Sequence, residues 1–329
     1  MRSLMLFFCI VLLTTSYPQK VYKTIGSVEY LSSEMNSLVR KNARIEVIAE
    51  GFDWSEGPVW VEKERMLLFS DVPKNTIYKW TERTGTEVYL TPSGYTGTEA
   101  RGGETGSNGL ALSRDGKLLM AQHGDRRIAM MNAPLNAPRP DFISVADNYN
   151  GKKFNSPNDL TISRKGIIYF TDPPYGLEKY ITDPKKEIPF QGVYKVDKDG
   201  KITLLTDTLT RPNGIALTPD EKTLIVANSG EPKRTWYTFD VTEDGTVRNG
   251  RIYYDVTDEE EKGGPDGLKI DKQGNVFATG PGGVWVFNKN GKVIGKLKIP
   301  EATSNCALSP DEKTLYITAD MYVLRVKMR

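Results

Sequence analysis

A turn that recurs about every 50 residues is the feature that most constrains how this chain can fold. Each copy places Glu, Asn or Asp at one point of a tight turn, and in five of the six copies an apolar, strand-like run follows directly. The spacing between copies is 50 to 55 residues, except for a last gap of 39. The six marker residues are Glu56, Asn108, Asn158, Asn213, Asp266 and Asn305.

Each repeated unit contains four strand patterns. The unit that starts at Asn213 has a short apolar run, a Pro-Asp-Glu-Lys turn, a second run at 223–228, a third at 236–240 and a further turn before a fourth. Four strands per unit, repeated six times, are the signature of a β-propeller. We therefore predict one all-β domain, a six-bladed β-propeller with four antiparallel strands per blade, over residues 43–329. Two β-sandwiches or a β-helix are alternatives that this period disfavours.

The two ends of the predicted domain complement each other. The last unit has only three strand patterns after residue 304, whereas residues 44–48 alternate with a period of two near the start. We expect the N-terminal strand to complete the last blade, because that closes the ring and removes an open sheet edge. Residues 17–42 lack a clear period and are predicted to form a linker or loose arm.

The first 16 residues are typical of a secretory signal peptide. One arginine precedes ten apolar residues and then small polar ones, a run too short to span a bilayer. An uncleaved N-terminal anchor is the alternative. We predict an exported protein, periplasmic or secreted, with no membrane contact once the signal is removed. Cys306 is then the single cysteine left, so no disulfide can form within the chain.

The net charge excludes one class of partner. The net charge is +2, from 44 basic and 42 acidic residues, so the chain has no strong positive field that would attract nucleic acid or an anionic membrane. The sequence leaves the oligomeric state open.

The marker turns have a chemical consequence if the chain is a propeller. The first strand of each blade lines the central channel, so the turns that lead into these strands meet at one mouth. A cluster of carboxylate and amide oxygens there suits one divalent cation, Ca²⁺ before Mg²⁺ or Mn²⁺. Zn²⁺ more usually recruits His or Cys, and the chain has one His. The simpler alternative is that each Asn or Asp only caps its own turn, but this does not explain Glu56.

Several short motifs are spread from about residue 44 to the end. They are Ser-Glu-Gly-Pro-Val-Trp at 55–60, Asn-Ser-Pro-Asn-Asp at 155–159, Tyr-Phe-Thr-Asp-Pro-Pro-Tyr-Gly at 169–176, Arg-Pro-Asn-Gly at 211–214, Pro-Asp-Gly at 265–267 and Gly-Pro-Gly-Gly-Val-Trp at 280–285. These motifs resemble those of the gluconolactonase/regucalcin family of six-bladed propellers. The last two of them, with Gln-His-Gly-Asp-Arg-Arg at 122–127, are most similar to its bacterial gluconolactonase branch.

The resemblance implies a metal-dependent hydrolase that opens a sugar lactone to the aldonic acid. By that resemblance the metal ligands are Glu56, Asn158, Asn213 and Asp266, and Asp266 is also the general acid/base. The metal polarises the lactone carbonyl. Zn²⁺ stays possible beside Ca²⁺, Mg²⁺ and Mn²⁺. A metal-dependent esterase or phosphotriesterase on the same scaffold, and a non-catalytic binding propeller, are the alternative functions.

Five further residues are predicted to line the substrate pocket. Asp159 is expected to orient a ligand or a bound water. His123, the sole histidine, is either a hydrogen-bonded turn residue or a pocket group, with equal weight. Asp172, near Tyr175, is expected to cap its turn rather than touch substrate. The five predicted pocket residues are Asn108, His123, Asp159, Tyr175 and Asn305.

Overall fold

Six antiparallel sheets arranged around one axis form the body of the protein. The computed structural model describes residues 20–329, and the predicted signal peptide lies outside them. The innermost strands of successive sheets contact one another in sequence order, and the sixth contacts the first. The predicted six-bladed propeller is therefore confirmed. Blade 1 comprises Ser55–Val61, Met66–Asp71, Thr76–Thr81 and Gly85–Leu90; blade 2, Ser107–Leu112, Leu118–Gln122, Arg127–Met131 and Phe142–Ala146; blade 3, Leu160–Ile162, Ile168–Asp172, Gly192–Val196 and Ile202–Thr206.

The last blade is built from both ends of the described chain. Ile45–Glu50 pairs antiparallel with Tyr322–Lys327, the C-terminal strand. This confirms the predicted closure, which removes one sheet edge.

The remaining three blades have the following strands. Blade 4 comprises Pro212–Leu217, Thr223–Asn228, Thr235–Val241 and Val247–Asp255; blade 5, Leu268–Ile270, Val276–Gly280, Gly283–Phe287 and Val293–Lys298; blade 6, Thr303–Leu308, Thr314–Ala319, Tyr322–Lys327 and Ile45–Glu50.

The described part of the arm is packed rather than loose, which differs from the expectation. Ser27–Tyr30 adds a fifth strand to blade 5 by pairing with its outer strand. The short helix Met35–Leu38 follows, and Met35 is fully buried against blades 5 and 6. Because isolated apolar positions such as Met35 show no period in so short a segment, the pattern alone did not predict this packing.

The hydrophobic core is divided among the blade interfaces. Each of the six clusters in residues 20–329 joins two neighbouring blades, for example Leu68 of blade 1 with Met120 of blade 2. Cys306 is buried in the cluster between blades 5 and 6. No helix among the described residues is long and apolar enough to cross a membrane.

Additional short elements lie outside the blade strands. A two-stranded ribbon of Asn148–Tyr149 and Lys152–Lys153 precedes blade 3, and the 3₁₀ turn Tyr180–Thr182 lies between the second and third strands of that blade. The loop that carries this turn, 173–191, and the connection 91–106 between blades 1 and 2 both lie on the face where the marker turns meet.

Candidate active site at the mouth of the channel

The marker residues lie where the innermost strands depart from regular pairing. In blades 1, 2, 4 and 6 the register shifts at the marker, as between Glu56 and Val59, and in blades 3 and 5 the strand begins just after it. Such bulges bend the strand and redirect a side chain. This local irregularity frees the marker side chains from the sheet.

A closed series of hydrogen bonds draws the six turns together. In each blade a donor in or beside the marker turn bonds to a backbone carbonyl in the turn of the next blade. The series runs from Ser70 Oγ to Asn108 O (2.9 Å), Gly109 N to Asn158 O (2.8 Å), Thr171 Oγ1 to Asn213 O (2.6 Å), Ser229 Oγ to Pro265 O, Gly267 N to Ser304 O (2.7 Å) and Ser304 Oγ to Ser55 O (2.6 Å).

Side chains of opposite blades meet across the channel. Asn305 of blade 6 donates Nδ2 to Asp159 Oδ2 of blade 3 over 3.3 Å. Lys269 Nζ lies 3.9 Å from the same carboxylate oxygen. Asp159 Oδ1 accepts from Leu160 N at 2.8 Å, so this buried carboxylate is held from three sides. Side chains of blades 3, 5 and 6 therefore contact one another across the channel beside the marker turns.

Two of the predicted ligands are carboxylates in a negative environment. Burial, with the charges of Asp159 and Glu104, raises the pKa of Glu56 to about 8, although Gly57 N donates to its Oε2 at 2.9 Å. Burial and the charges of Glu56, Asp159 and Glu104 also raise the pKa of Asp266 well above its usual value. Asp266 Oδ1 is inaccessible to solvent and has no hydrogen-bond partner among residues 20–329.

The orientation of the side-chain amide differs between the two predicted amide ligands and Asn305. Asn158 Nδ2 lies 3.5 Å from His123 Nε2, and Asn213 Nδ2 donates to Ser229 Oγ at 3.0 Å. In the described part of the chain no donor is bonded to Oδ1 of either residue. Asn305 differs, because its Oδ1 accepts from Cys306 N at 2.9 Å. Asn158 and Asn213 therefore have free oxygens, and Asn305 does not.

Asn108 and Tyr175 complete the pocket residues that the sequence predicts. Asn108 is buried, and its Oδ1 has no hydrogen-bond partner in the part of the chain that the structure describes. Tyr175 lies beside Ser229 and Asp266, and burial raises the pKa of its phenol. The two side chains thus offer polar groups at the mouth for a small polar molecule.

The oxygen atoms of the four predicted ligands fit a divalent cation. Glu56 and Asp266 supply two negative charges when both are ionised, and Asn158 and Asn213 offer neutral oxygens. Carboxylate and amide oxygens are the ligands that hard cations prefer, and the unpartnered Oδ1 of Asp266 is the type of buried acceptor that a cation satisfies. Among residues 20–329 no three His, Cys, Asp or Glu side chains form a metal-binding group, so the two amides are essential members of this set.

Sequence patterns missed three residues of the site. They are Glu104, Lys269 and Ser229. Glu104 lies in the glycine-rich connection 91–106, which has no strand period. This connection is tied to blades 2 and 3 by Arg101, which donates to Gly124 O and Gly176 O. Lys269 follows the blade 5 marker turn. Ser229 had a visible signal, because Asn-Ser-Gly at 228–230 follows a second strand just as Gln-His-Gly does at 122–124.

Asp172 has a structural role, but it holds the turn at 155–156 rather than capping its own Pro-Pro turn as expected. Its carboxylate accepts from Asn155 N and Ser156 N, both at 2.8 Å, and is fully buried. A separate groove lined by Glu82, Tyr89 and other residues of blades 1 and 2 contains none of the predicted site residues.

The fold and these turns define a six-bladed propeller with an oxygen-rich pocket at one mouth of its channel. Residues 54–320 match the family described as the SMP-30/Gluconolactonase/LRE-like region, and the chain belongs to that family.

Individual relatives agree with this assignment. The chain is 40% identical over 316 residues to a gluconolactonase of Zymomonas mobilis, an alignment that covers 93% of this chain and 87% of the relative. It is 32% identical to lactonase drp35 of Staphylococcus saprophyticus, over 58% of this chain and 56% of that one. The solved structure of a gluconolactonase from Xanthomonas campestris superposes with a TM-score of 0.80 and 27% identity, and covers 94% of this chain and 99% of that one.

Proposed function

We propose that this protein hydrolyses the ring ester of a sugar lactone of the glucono-1,5-lactone type, with a divalent cation bound at the mouth of the channel. Family membership and 40% identity to a gluconolactonase over most of both chains support lactone hydrolysis. The observation that carries the cation dependence is the juxtaposition of Glu56, Asp266 and two amides with free oxygens.

The proposed ligands are Glu56, Asn158, Asn213 and Asp266, and Ca²⁺ is the first candidate, before Mg²⁺, Mn²⁺ or Zn²⁺. When bound, the cation supplies positive charge beside the lactone carbonyl, where negative charge develops during attack. It also offsets the repulsion between the two carboxylates.

Asp266 is the proposed general acid/base. It accepts a proton from the attacking water as the water oxygen bonds to the carbonyl carbon, and it donates that proton to the ring oxygen as the ring C–O bond breaks. The product is the open-chain hydroxy acid, so atoms and charge balance without another reactant. Its raised pKa suits this role, because the group is then a stronger base toward the attacking water than an ordinary aspartate.

The remaining pocket groups are proposed to position the sugar. Tyr175 and Asn108 can bond to ring hydroxyls from neighbouring blades, and Lys269 with Asn305 holds Asp159 in place beneath them. These contacts favour a polyhydroxylated ring over an apolar acyl chain.

Acid release measured in a pH-stat tests the proposal. Purified protein with Ca²⁺ should open glucono-1,5-lactone well above the spontaneous rate, and an aryl ester and a phosphotriester run alongside should be poorer substrates. No acceleration with any of Ca²⁺, Mg²⁺, Mn²⁺ or Zn²⁺ would overturn the proposed reaction, and faster turnover of the phosphotriester would replace its substrate class.

A further inference from the structure

His123 is enclosed between a carboxylate and a predicted ligand. Its side chain has no solvent exposure; Nδ1 lies 3.1 Å from Glu104 Oε2, and Nε2 lies 3.5 Å from Asn158 Nδ2. The contact with Glu104 is bent, since Nδ1 has no partner of regular hydrogen-bond geometry among the described residues. Gly176 packs so closely that an added Cβ would lie 2.6 Å from His123 Cβ. The ring is therefore held in place, with both nitrogens directed at protein groups.

The hydrogen-bonding chemistry of Glu104, His123 and Asn158 determines which group donates and which accepts in each contact. A carboxylate only accepts hydrogen bonds, and a neutral imidazole has one N–H donor and one acceptor nitrogen. Glu104 beside Nδ1 favours the proton there, which leaves Nε2 as an acceptor. Asn158 must then present its NH₂ group to Nε2, and its Oδ1 is left for the cation.

Asn213 shows the same arrangement with different residues. The Ser229 hydroxyl donates its hydrogen to Pro265 O, so its oxygen accepts from Asn213 Nδ2. Both predicted amide ligands thus have a neighbour that accepts from NH₂. Asn305 also donates from its NH₂ group, to Asp159, but its oxygen is occupied because it accepts from Cys306 N.

We propose that Glu104 and His123 form a positioning pair that turns the Asn158 oxygen toward the cation, and that His123 acts through Asn158 rather than by contact with substrate. This inference rests on the proposed function, because it requires a cation at Asn158. Partners that orient a metal ligand typically change metal affinity by about 10- to 100-fold when they are removed.

Calorimetric titration of Ca²⁺ into chelator-treated protein tests the pair. His123→Phe keeps a ring but removes the acceptor, and should weaken Ca²⁺ binding about 10-fold or more. His123→Gln should retain affinity within about 3-fold, since its amide can donate to Glu104 and accept from Asn158.

The decisive comparison places His123→Phe in an Asn158→Asp background. Aspartate has oxygen at both positions, so its orientation no longer matters, and the effect of His123→Phe should fall below about 3-fold. In an Asn213→Asp background the effect should persist in full. Glu104→Ala, measured in the same backgrounds, serves if His123→Phe does not fold by circular dichroism and thermal unfolding.

The outcomes separate the two proposals. If the unaltered protein binds none of the four cations, the cation-dependent function fails and the positioning pair with it. If it binds Ca²⁺ but His123→Phe binds equally well, or loses affinity equally in the Asn158→Asp background, only the positioning role is overturned.

Discussion

At the scale of single residues, the chemistry depends on how Asp266 and Glu56 are charged. The charge of Glu56 raises the pKa of Asp266, and burial with the charges of Asp159 and Glu104 raises the pKa of both groups. Two ionised carboxylates in this setting repel each other, and a divalent cation offsets that repulsion. Cation binding therefore depends on the charge of Asp266, and proton transfer depends on its proton affinity.

Asp266→Asn keeps the shape of the side chain but removes its charge and its ability to exchange a proton. Lactone turnover should fall by at least about 100-fold, the usual contribution of a general acid/base. The pH-stat rate at saturating Ca²⁺ is the measurement, with circular dichroism to confirm folding. Asp258→Asn, at an exposed loop position, is the matched control and should retain activity. Equal rates in the two variants would refute the role of Asp266.

The buried carboxylate of Asp172 makes the stability of the fold depend on pH. Burial raises its pKa to about 7, although two backbone N–H groups and Arg126 oppose the rise. In the unfolded chain it ionises near pH 4. Between these values the folded state holds the proton and the unfolded state does not, so this group's stabilisation, present below about pH 4, is lost as the pH rises to about 7.

Asp172→Asn cannot titrate, so this pH-dependent loss should disappear. Urea unfolding from pH 4 to 8 gives the free energy of unfolding for both proteins. The unaltered protein minus the variant should show a slope of up to about −1.4 kcal/mol per pH unit in that window, levelling off above pH 7. A difference that does not change with pH would contradict the raised pKa.

At the scale of elements, the marker turns combine tight backbone packing with side chains that are free to bind. Gly214 contacts the blade 5 turn so closely that an added Cβ would lie 2.2 Å from Asp266 O. Glycine at this position allows the blade 4 and blade 5 turns to approach. The positions of Asn213 and Asp266 are therefore coupled through the backbone.

Gly214→Ala should destabilise the fold by about 1–3 kcal/mol, the usual cost of overpacking a site that cannot relax. Gly102→Ala is the matched control, because a Cβ there meets no atom within 4 Å, and it should leave stability nearly unchanged. Chemical unfolding of both variants measures the difference. Equal stabilities would show that the turns are not packed as described.

The repeat made the elements predictable, but the site depends on contacts that the repeat does not encode. The 50-residue period predicted the blades and the closing strand at 44–48, because each blade is built from neighbouring strands. Glu104 approaches His123 from a connection with no strand period, which is held by Arg101 and by the backbone of Gly106. Which Asn has a free oxygen depends on acceptors such as His123, which come from other parts of the chain.

At the scale of the whole molecule, function depends on ring closure. The six core clusters hold neighbouring blades together, and the strand from the N-terminal side completes blade 6. The proposed ligands come from blades 1, 3, 4 and 5, so no one blade forms the site. A cation bound there would join four blades and should stabilise the folded state by mass action.

The central claim is that lactone hydrolysis requires a divalent cation at the mouth of the channel. The most direct test is the pH-stat rate of glucono-1,5-lactone opening after exhaustive chelation and then after addition of Ca²⁺, with bound metal measured in the same samples. We predict that the rate falls to the spontaneous value after chelation and returns as one equivalent binds. A full rate in protein shown to be metal-free would contradict the account.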